Sequence, residues 1–175
     1  TWRGHSLRSS AVGAGDDHLS IVALATSEPV THLENPAQVP AYEYPEQYGP
    51  RPPSFCRASY AADGQGALYV SGTSAVIGSD SVGVGDLASQ LEVTAENVEK
   101  ILEVCRKRTG RDLAREQAGF CRLYVRKASE LPVAEAWLRS LPWVDPERFM
   151  IVQADICRRD LQVEIEGSTA MESSW

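Results

Sequence analysis

Between Glu28 and Pro53 the chain concentrates seven of its ten prolines and three tyrosines. Proline at this density forbids helix and central strand, because each ring fixes φ and removes an amide donor. Composition alone reads the stretch as a solvated linker. Tyr42, Tyr44 and Tyr48 argue the other way. Closely spaced aromatics suit a long loop that anchors itself, as a lid or binding loop does.

The rest of the chain is regular. An apolar run at Leu19–Ala25, after a turn at Gly15–Asp17, predicts a buried strand. Phe55–Tyr60 and Ala67–Thr73 read as strands separated by a turn at 62–66. Leu87, Leu91, Val98, Ile101, Leu102 and Cys105 recur at helical spacing and predict a helix over Leu87–Arg108. Asp86 stands at its N-cap, Arg106–Arg108 complement its C-terminal dipole, and Gly110 stops it. Phe120–Arg126 alternates as a strand. Ser129–Pro132 opens a second helix that is expected to bury Val133, Trp137 and Leu141. Phe149–Val152 and Leu161–Glu166 close the fold as strands.

This order predicts an α+β domain, a mixed sheet with two helices packed on one face. Residues 1–167 form one domain, with 28–53 as its Pro/Tyr-rich loop and 168–175 as a flexible tail. Cys121, Leu123, Val125, Leu161, Val163 and Ile165 should face the helices. Arg122, Tyr124, Arg126, Gln162, Glu164 and Glu166 then line the opposite face. That face is either solvated or packed against another subunit with a site between them.

The 175 residues carry 17 Lys plus Arg against 24 Asp plus Glu, a net charge of -7. This balance argues against a nucleic-acid binder, which needs a basic footprint. It leaves room for an anionic small molecule held by converging arginines. No apolar run is long enough to cross a membrane and no leader is legible, so the reading is a cytoplasmic, soluble protein. Cys56, Cys105, Cys121 and Cys157 are scattered without metal-ligand or disulfide spacing, which suits reduced thiols. The first residue is Thr1, which reads as a processed terminus or the C-terminal portion of something longer.

Familiar catalytic motifs are missing. His5, His18 and His32 have no triad context. The glycines of 79–85 lack both the Lys-Ser/Thr of a P-loop and the strand-then-GxGxxG order of a dinucleotide site. What remains is a set of arginines (Arg51, Arg57, Arg122, Arg126, Arg158), the tyrosines, and strand-borne carboxylates near the C-terminus. Guanidinium forks bind carboxylates bidentately. A carboxylic acid in a poorly solvated pocket keeps its proton near neutral pH and can donate it. Such a set suits acid-catalysed chemistry on a small dianion, without a metal or cofactor.

Three blocks carry a resemblance. The stretch Glu34-Asn-Pro-Ala-Gln-Val-Pro-Ala-Tyr-Glu-Tyr-Pro-Glu-Gln-Tyr-Gly-Pro-Arg-Pro-Pro-Ser-Phe-Cys-Arg-Ala58 resembles the loop of the chorismatases. Tyr69-Val-Ser-Gly-Thr-Ser-Ala-Val-Ile-Gly78 resembles their Ser-Gly-Thr strand end. Gln153-Ala-Asp-Ile-Cys-Arg-Arg-Asp-Leu-Gln-Val-Glu-Ile-Glu166 resembles their C-terminal motif. The resemblance implies a Rid/YjgF-like fold, a homotrimer with clefts between subunits, and cleavage of chorismate in secondary metabolism. The products would be pyruvate and either 3-hydroxybenzoate or a dihydroxycyclohexadiene carboxylate. It places the catalytic acid at Glu164 and makes Glu166 the alternative, since strand parity points both the same way. It makes Arg57, Arg51 and Tyr48 the grip on carboxylates and ring hydroxyl, with the Pro/Tyr block as lid. Tyr44, Ser74, Cys157 and Arg122 complete the substrate-binding set. Cys157 matches the cysteine of the 3-hydroxybenzoate-forming branch.

Two departures matter. Members of that family are about twice this length, and Ser74 puts a hydroxyl where they are small and apolar. Two other readings therefore stand beside the first. One is a Rid-type imine hydrolase; the other is a non-catalytic domain that assembles or binds a small carboxylate.

Overall fold

The computed structural model describes residues 7–8, 12–13, 26, 29–62, 66–112 and 118–169. Six strands form the main sheet: β1 (Val30–Leu33), β2 (Ala58–Ala61), β3 (Ala67–Thr73), β4 (Ala118–Val125), β5 (Phe149–Gln153) and β6 (Val163–Thr169). Their spatial order is β5-β4-β6-β3-β2-β1. Only β4 and β5 run parallel, and α2 (Leu131–Ser140) lies between them in sequence; every other pair in the sheet is antiparallel. The sheet is thus mixed, as parity and element order imply.

Helix α1 (Leu87–Thr109) begins where the Asp86 side chain accepts a hydrogen bond from Ser89 N and ends at Gly110 in the left-handed region, φ 76°. Its apolar stripe of Leu91, Val98, Ile101, Leu102 and Cys105 packs on Leu68, Val70, Cys121, Leu123, Val125, Val163 and Ile165 of the sheet. The second helix differs from expectation. It buries Ala134 and Leu138 at i, i+4 spacing, whereas Val133 is 56% exposed, because position 133 lies about 100° around the helix from Ala134. Trp137 and Leu141 pack at the margin of the same core.

Other boundaries also move. The Pro-rich stretch contributes β1, an edge strand directly after Pro29, which is the sheet position that tolerates such a neighbour. Phe55–Tyr60 is broken at Arg57 into Phe55–Cys56 and β2. The last strand starts at Val163 and continues to Thr169, whose hydroxyl accepts from Leu68 N at 2.9 Å, so Ser168 and Thr169 belong to the sheet and not to a tail. Leu161 precedes that strand and escapes its alternation. It packs instead in a second apolar cluster with Ala75, Val76, Tyr124, Ala154 and Ile156. The expected strand at Leu19–Ala25, His5, His18, most of the 62–66 turn and residues 170–175 lie outside the described residues.

Candidate functional site

Helix α1 carries a second, polar buried stripe, and this stripe positions the loops at one end of the sheet. Gln90, Thr94 and Asn97 are all 0% exposed. Asn97 Nδ2 donates to Ser74 O at 3.1 Å and Val76 O at 2.9 Å, which fixes the chain just beyond β3. Asn35 Nδ2 in turn donates to Asn97 O at 3.1 Å and to Asn97 Oδ1 at 3.2 Å, docking the Pro/Tyr loop on the helix. Gln90 donates to Asp160 O and accepts from Gln162 N, both at 2.7 Å, at the entry to β6. Buried amide side chains satisfied in this way give definite geometry to segments that lack regular structure.

The Pro/Tyr loop is seated rather than loose over its described length. Val39 N donates to Gly78 O and Gly78 N to Ala37 O, so the loop pairs with the hairpin Val76–Ser81. Two short 3₁₀ turns follow, Ala41–Glu43 and Glu46–Tyr48. They present Tyr44 and Tyr48 with ring centroids 5.7 Å apart. Arg57, only 4% exposed, donates from Nη2 to Val39 O and to the Tyr44 hydroxyl, and its Nε is buried without a hydrogen-bond partner. The Arg158 guanidinium lies 3.8 Å from the Tyr48 ring centroid and 4.9 Å from that of Tyr44. Two cations and two aromatic rings therefore form one block.

Strand β6 carries two carboxyls on one face, opposite Tyr124 and Arg122 of β4 in register. Glu166 is paired: Arg122 Nη1 is 2.6 Å from its Oε1, and the Tyr124 hydroxyl donates to the same oxygen at 2.7 Å. Burial above all pushes the Tyr124 phenol up to about 12, with Glu166 acting in the same direction and Arg122 against it. Glu164 is different. It is 4% exposed and has no cationic partner among the described residues. Burial above all, and then the charge of Glu166, raise its pKa to about 7. The buried Ser74 hydroxyl lies beside it and pulls slightly the other way, without closing a hydrogen bond of good geometry.

Cys157 joins this second group. Its residue surface is open, yet desolvation and the Glu164 charge push its thiol up, while Arg158 pulls it down. The loop that bears it is tied by Arg126, which donates to Leu161 O (2.8 Å), Ile156 O (2.9 Å), Arg158 O (2.8 Å) and Asp155 Oδ1 (2.6 Å).

Of the residues singled out from sequence, the structure gathers Tyr44, Tyr48 and Arg57 in one cluster and Glu164, Ser74 and Cys157 in another. Arg158 bridges them through its chain neighbour Cys157. Arg122 faces the same side but is committed to Glu166. Arg51 is exposed and makes no hydrogen bond or ion pair to a described residue. Arg158 and Arg126 stand in the sequence among five candidate arginines, and no local feature gives either a role. A small apolar cavity under α1, lined by Leu68, Val98, Leu102, Ile165 and Trp143 among others, is packing space of the helix-side core rather than part of this cluster. Among the described residues no group of His, Cys, Asp or Glu is arranged to hold a metal, and no helix is long and apolar enough to cross a membrane.

No protein-family model matches the chain. It is 39% identical over 150 residues to the 3-hydroxybenzoate synthase of Streptomyces hygroscopicus, covering 78% of this chain and 42% of that protein. A chorismatase crystal structure superposes with a TM-score of 0.73 at 32% identity, covering 82% of this chain and 44% of that one. The structure of RidA from the Antarctic bacterium Psychrobacter, 18% identical with a TM-score of 0.52, shares the fold over 68% of this chain and 89% of its own. The chain spans less than half the length of the curated relatives it matches.

Proposed function

This chain belongs to the chorismatase family, and from that premise we propose that it cleaves the enolpyruvyl ether of chorismate with Glu164 as the general acid. The observation that carries the reading is the setting of Glu164: buried, without a cationic partner among the described residues, and with its pKa raised to about 7. Such an acid is protonated in useful amount near neutrality and still gives up its proton readily.

Protonation of the terminal methylene of the enol ether forms a carbon–hydrogen bond and leaves an oxocarbenium ion. The bond is made with the π electrons of the enol ether, and a lone pair of the ether oxygen shares the positive charge left on the adjacent carbon. Water captured at that carbon gives a hemiketal, whose collapse releases pyruvate and the dihydroxycyclohexadiene carboxylate. Loss of the ring hydroxyl of that diene as water, together with the hydrogen on the carbon that bore the ether, gives 3-hydroxybenzoate instead; the water taken up is returned, so pyruvate and 3-hydroxybenzoate together contain the atoms of chorismate. The carboxylate formed at Glu164 stabilises the adjacent cation, and Ser74 and Cys157 border the place where the ring carbons would lie. Arg57, with its unpartnered buried Nε, and the tyrosines Tyr44 and Tyr48 form the grip for a dianion. Acid and grip are both side chains of this chain, so the reading calls for no cofactor. The homotrimer, the cytoplasmic setting and the role in secondary metabolism implied by the resemblance belong to the same reading.

Incubation with chorismate, with pyruvate followed by a lactate dehydrogenase couple and ring products by chromatography, tests it. Pyruvate with 3-hydroxybenzoate is the outcome that the Cys157 match favours. Binding of chorismate without pyruvate would replace the enzyme by a binding domain.

A further inference from the structure

Three separate parts of the chain meet at Arg158. Its backbone carbonyl accepts from Arg126 Nη2 at 2.8 Å, so its Cα is held to the end of β4. Its Nη1 donates to Ser79 O at 2.7 Å and reaches Ser81 Oγ at 3.4 Å, in the Val76–Ser81 hairpin. Its guanidinium plane then serves the rings of Tyr48 and Tyr44. Tyr48 returns to the same hairpin, donating to Asp80 Oδ1 at 2.8 Å, and the Tyr44 hydroxyl accepts from Arg57. Tyr48 is 37% exposed, and of the six residues in the two 3₁₀ turns only Ala41 is buried. Short turns of this kind have weak stability of their own and take their order from tertiary contacts.

We infer that Arg158 is a positioning residue. It clasps the 41–48 turns against the hairpin, and through the Tyr44 hydroxyl it sets where the Arg57 guanidinium stands. Arginine suits this task because one planar group stacks on aromatic faces and still donates in its plane to a carbonyl. Lysine supplies the charge without the plane. The consequence for catalysis rests on the chorismate reading; the clasp itself does not.

Amide hydrogen exchange separates the two. In Arg158→Ala, the amides of Tyr44, Tyr48 and Gly49, which close the turns onto Ala41 O, Pro45 O and Glu46 O, should exchange about tenfold faster or more, with α1 unchanged. Arg158→Lys should fall between the two. In a Tyr48→Leu background the Arg158→Ala effect should largely vanish, because its main partner is already gone. Chorismate turnover should show a KM raised about tenfold with kcat little changed, since the grip loosens while the acid stays in place. Unchanged exchange at these amides overturns the clasp. If Arg158→Ala also loosens α1, Tyr48→Leu alone decides, and protected turns in that variant overturn it. Should the parent chain release no pyruvate, the proposed function falls and the exchange data still judge Arg158.

Discussion

Glu164 and Glu166 stand two residues apart on one face of β6, and among the described residues only Glu166 has a cation, with Arg122 Nη1 2.6 Å from its Oε1. Strand parity makes the two equivalent; their neighbours do not. The paired carboxyl is held by a guanidinium and a phenol, which favours its charged form. The unpaired one is buried beside a like charge, which favours its protonated form.

The two should therefore separate under substitution. Glu164→Gln is expected to abolish pyruvate release, because the amide keeps the strand shape and has no proton to give. Glu166→Gln removes the like charge and frees Arg122, so the Glu164 pKa should fall from about 7 towards its ordinary value. The alkaline limb of the kcat/KM profile then moves to lower pH, since the acid form disappears sooner. A limb that stays in place, or moves up, would show that Glu166 does not act on the reacting acid.

Stability should carry the same signature. Glu164 has a folded pKa raised from 4.5 to about 7, so the folded state holds more protons than the unfolded state between those values. Stability then declines as pH rises through that window. The full shift corresponds to about 3 kcal/mol. Glu164→Gln should remove this part of the slope, making the variant the more stable protein at pH 8 and near parity below pH 4.5. Urea unfolding of both proteins at pH 4 and pH 8 measures it. Equal differences at the two pH values would mean that Glu164 is solvated in solution.

Arg57 offers a test of the grip. It is buried, bonded to Val39 O and the Tyr44 hydroxyl, with Nε unpartnered. Arg57→Lys keeps the charge and loses the fork, so the KM for chorismate should rise about tenfold or more with a smaller change in kcat. An unchanged KM would remove Arg57 from the substrate's reach.

Much of the fold was legible because its signals are local and periodic. The Asp86 cap, the Gly110 stop and the stripe through Leu91, Val98 and Ile101 define α1 within a residue of its ends. Alternation placed Leu123 and Val163 towards the helices and Glu164 and Glu166 away from them. It failed at Leu161, where the chain is not yet a strand and parity has no meaning. It failed at Val133 because a ten-residue helix offers too few turns to set its phase. The site was legible as a list of residue types, but its grouping was not. Asn97 and Gln90 look like ordinary surface amides in sequence, and only the fold shows that they hold three loops together. Likewise nothing local distinguishes Arg158, stacked on Tyr48, from Arg51, which stands in the open.

Cys157 can report on this arrangement without any substrate. Its thiol is pushed up by burial and by the Glu164 charge and pulled down by Arg158, and thiolate is the form that alkylates. Cys56, Cys105 and Cys121 are buried, so iodoacetamide at pH 8 should label Cys157 first. Glu164→Gln removes a negative neighbour and should speed that labelling several-fold. Arg158→Ala removes a positive one and should slow it, even though it opens the surrounding surface. Opposite signs from two nearby substitutions cannot come from exposure alone, which would quicken both. Labelling rates read by peptide mass spectrometry decide the matter. If Glu164→Gln leaves the Cys157 rate unchanged, the two side chains are not electrostatic neighbours in solution, and the acid has to be sought elsewhere on the face.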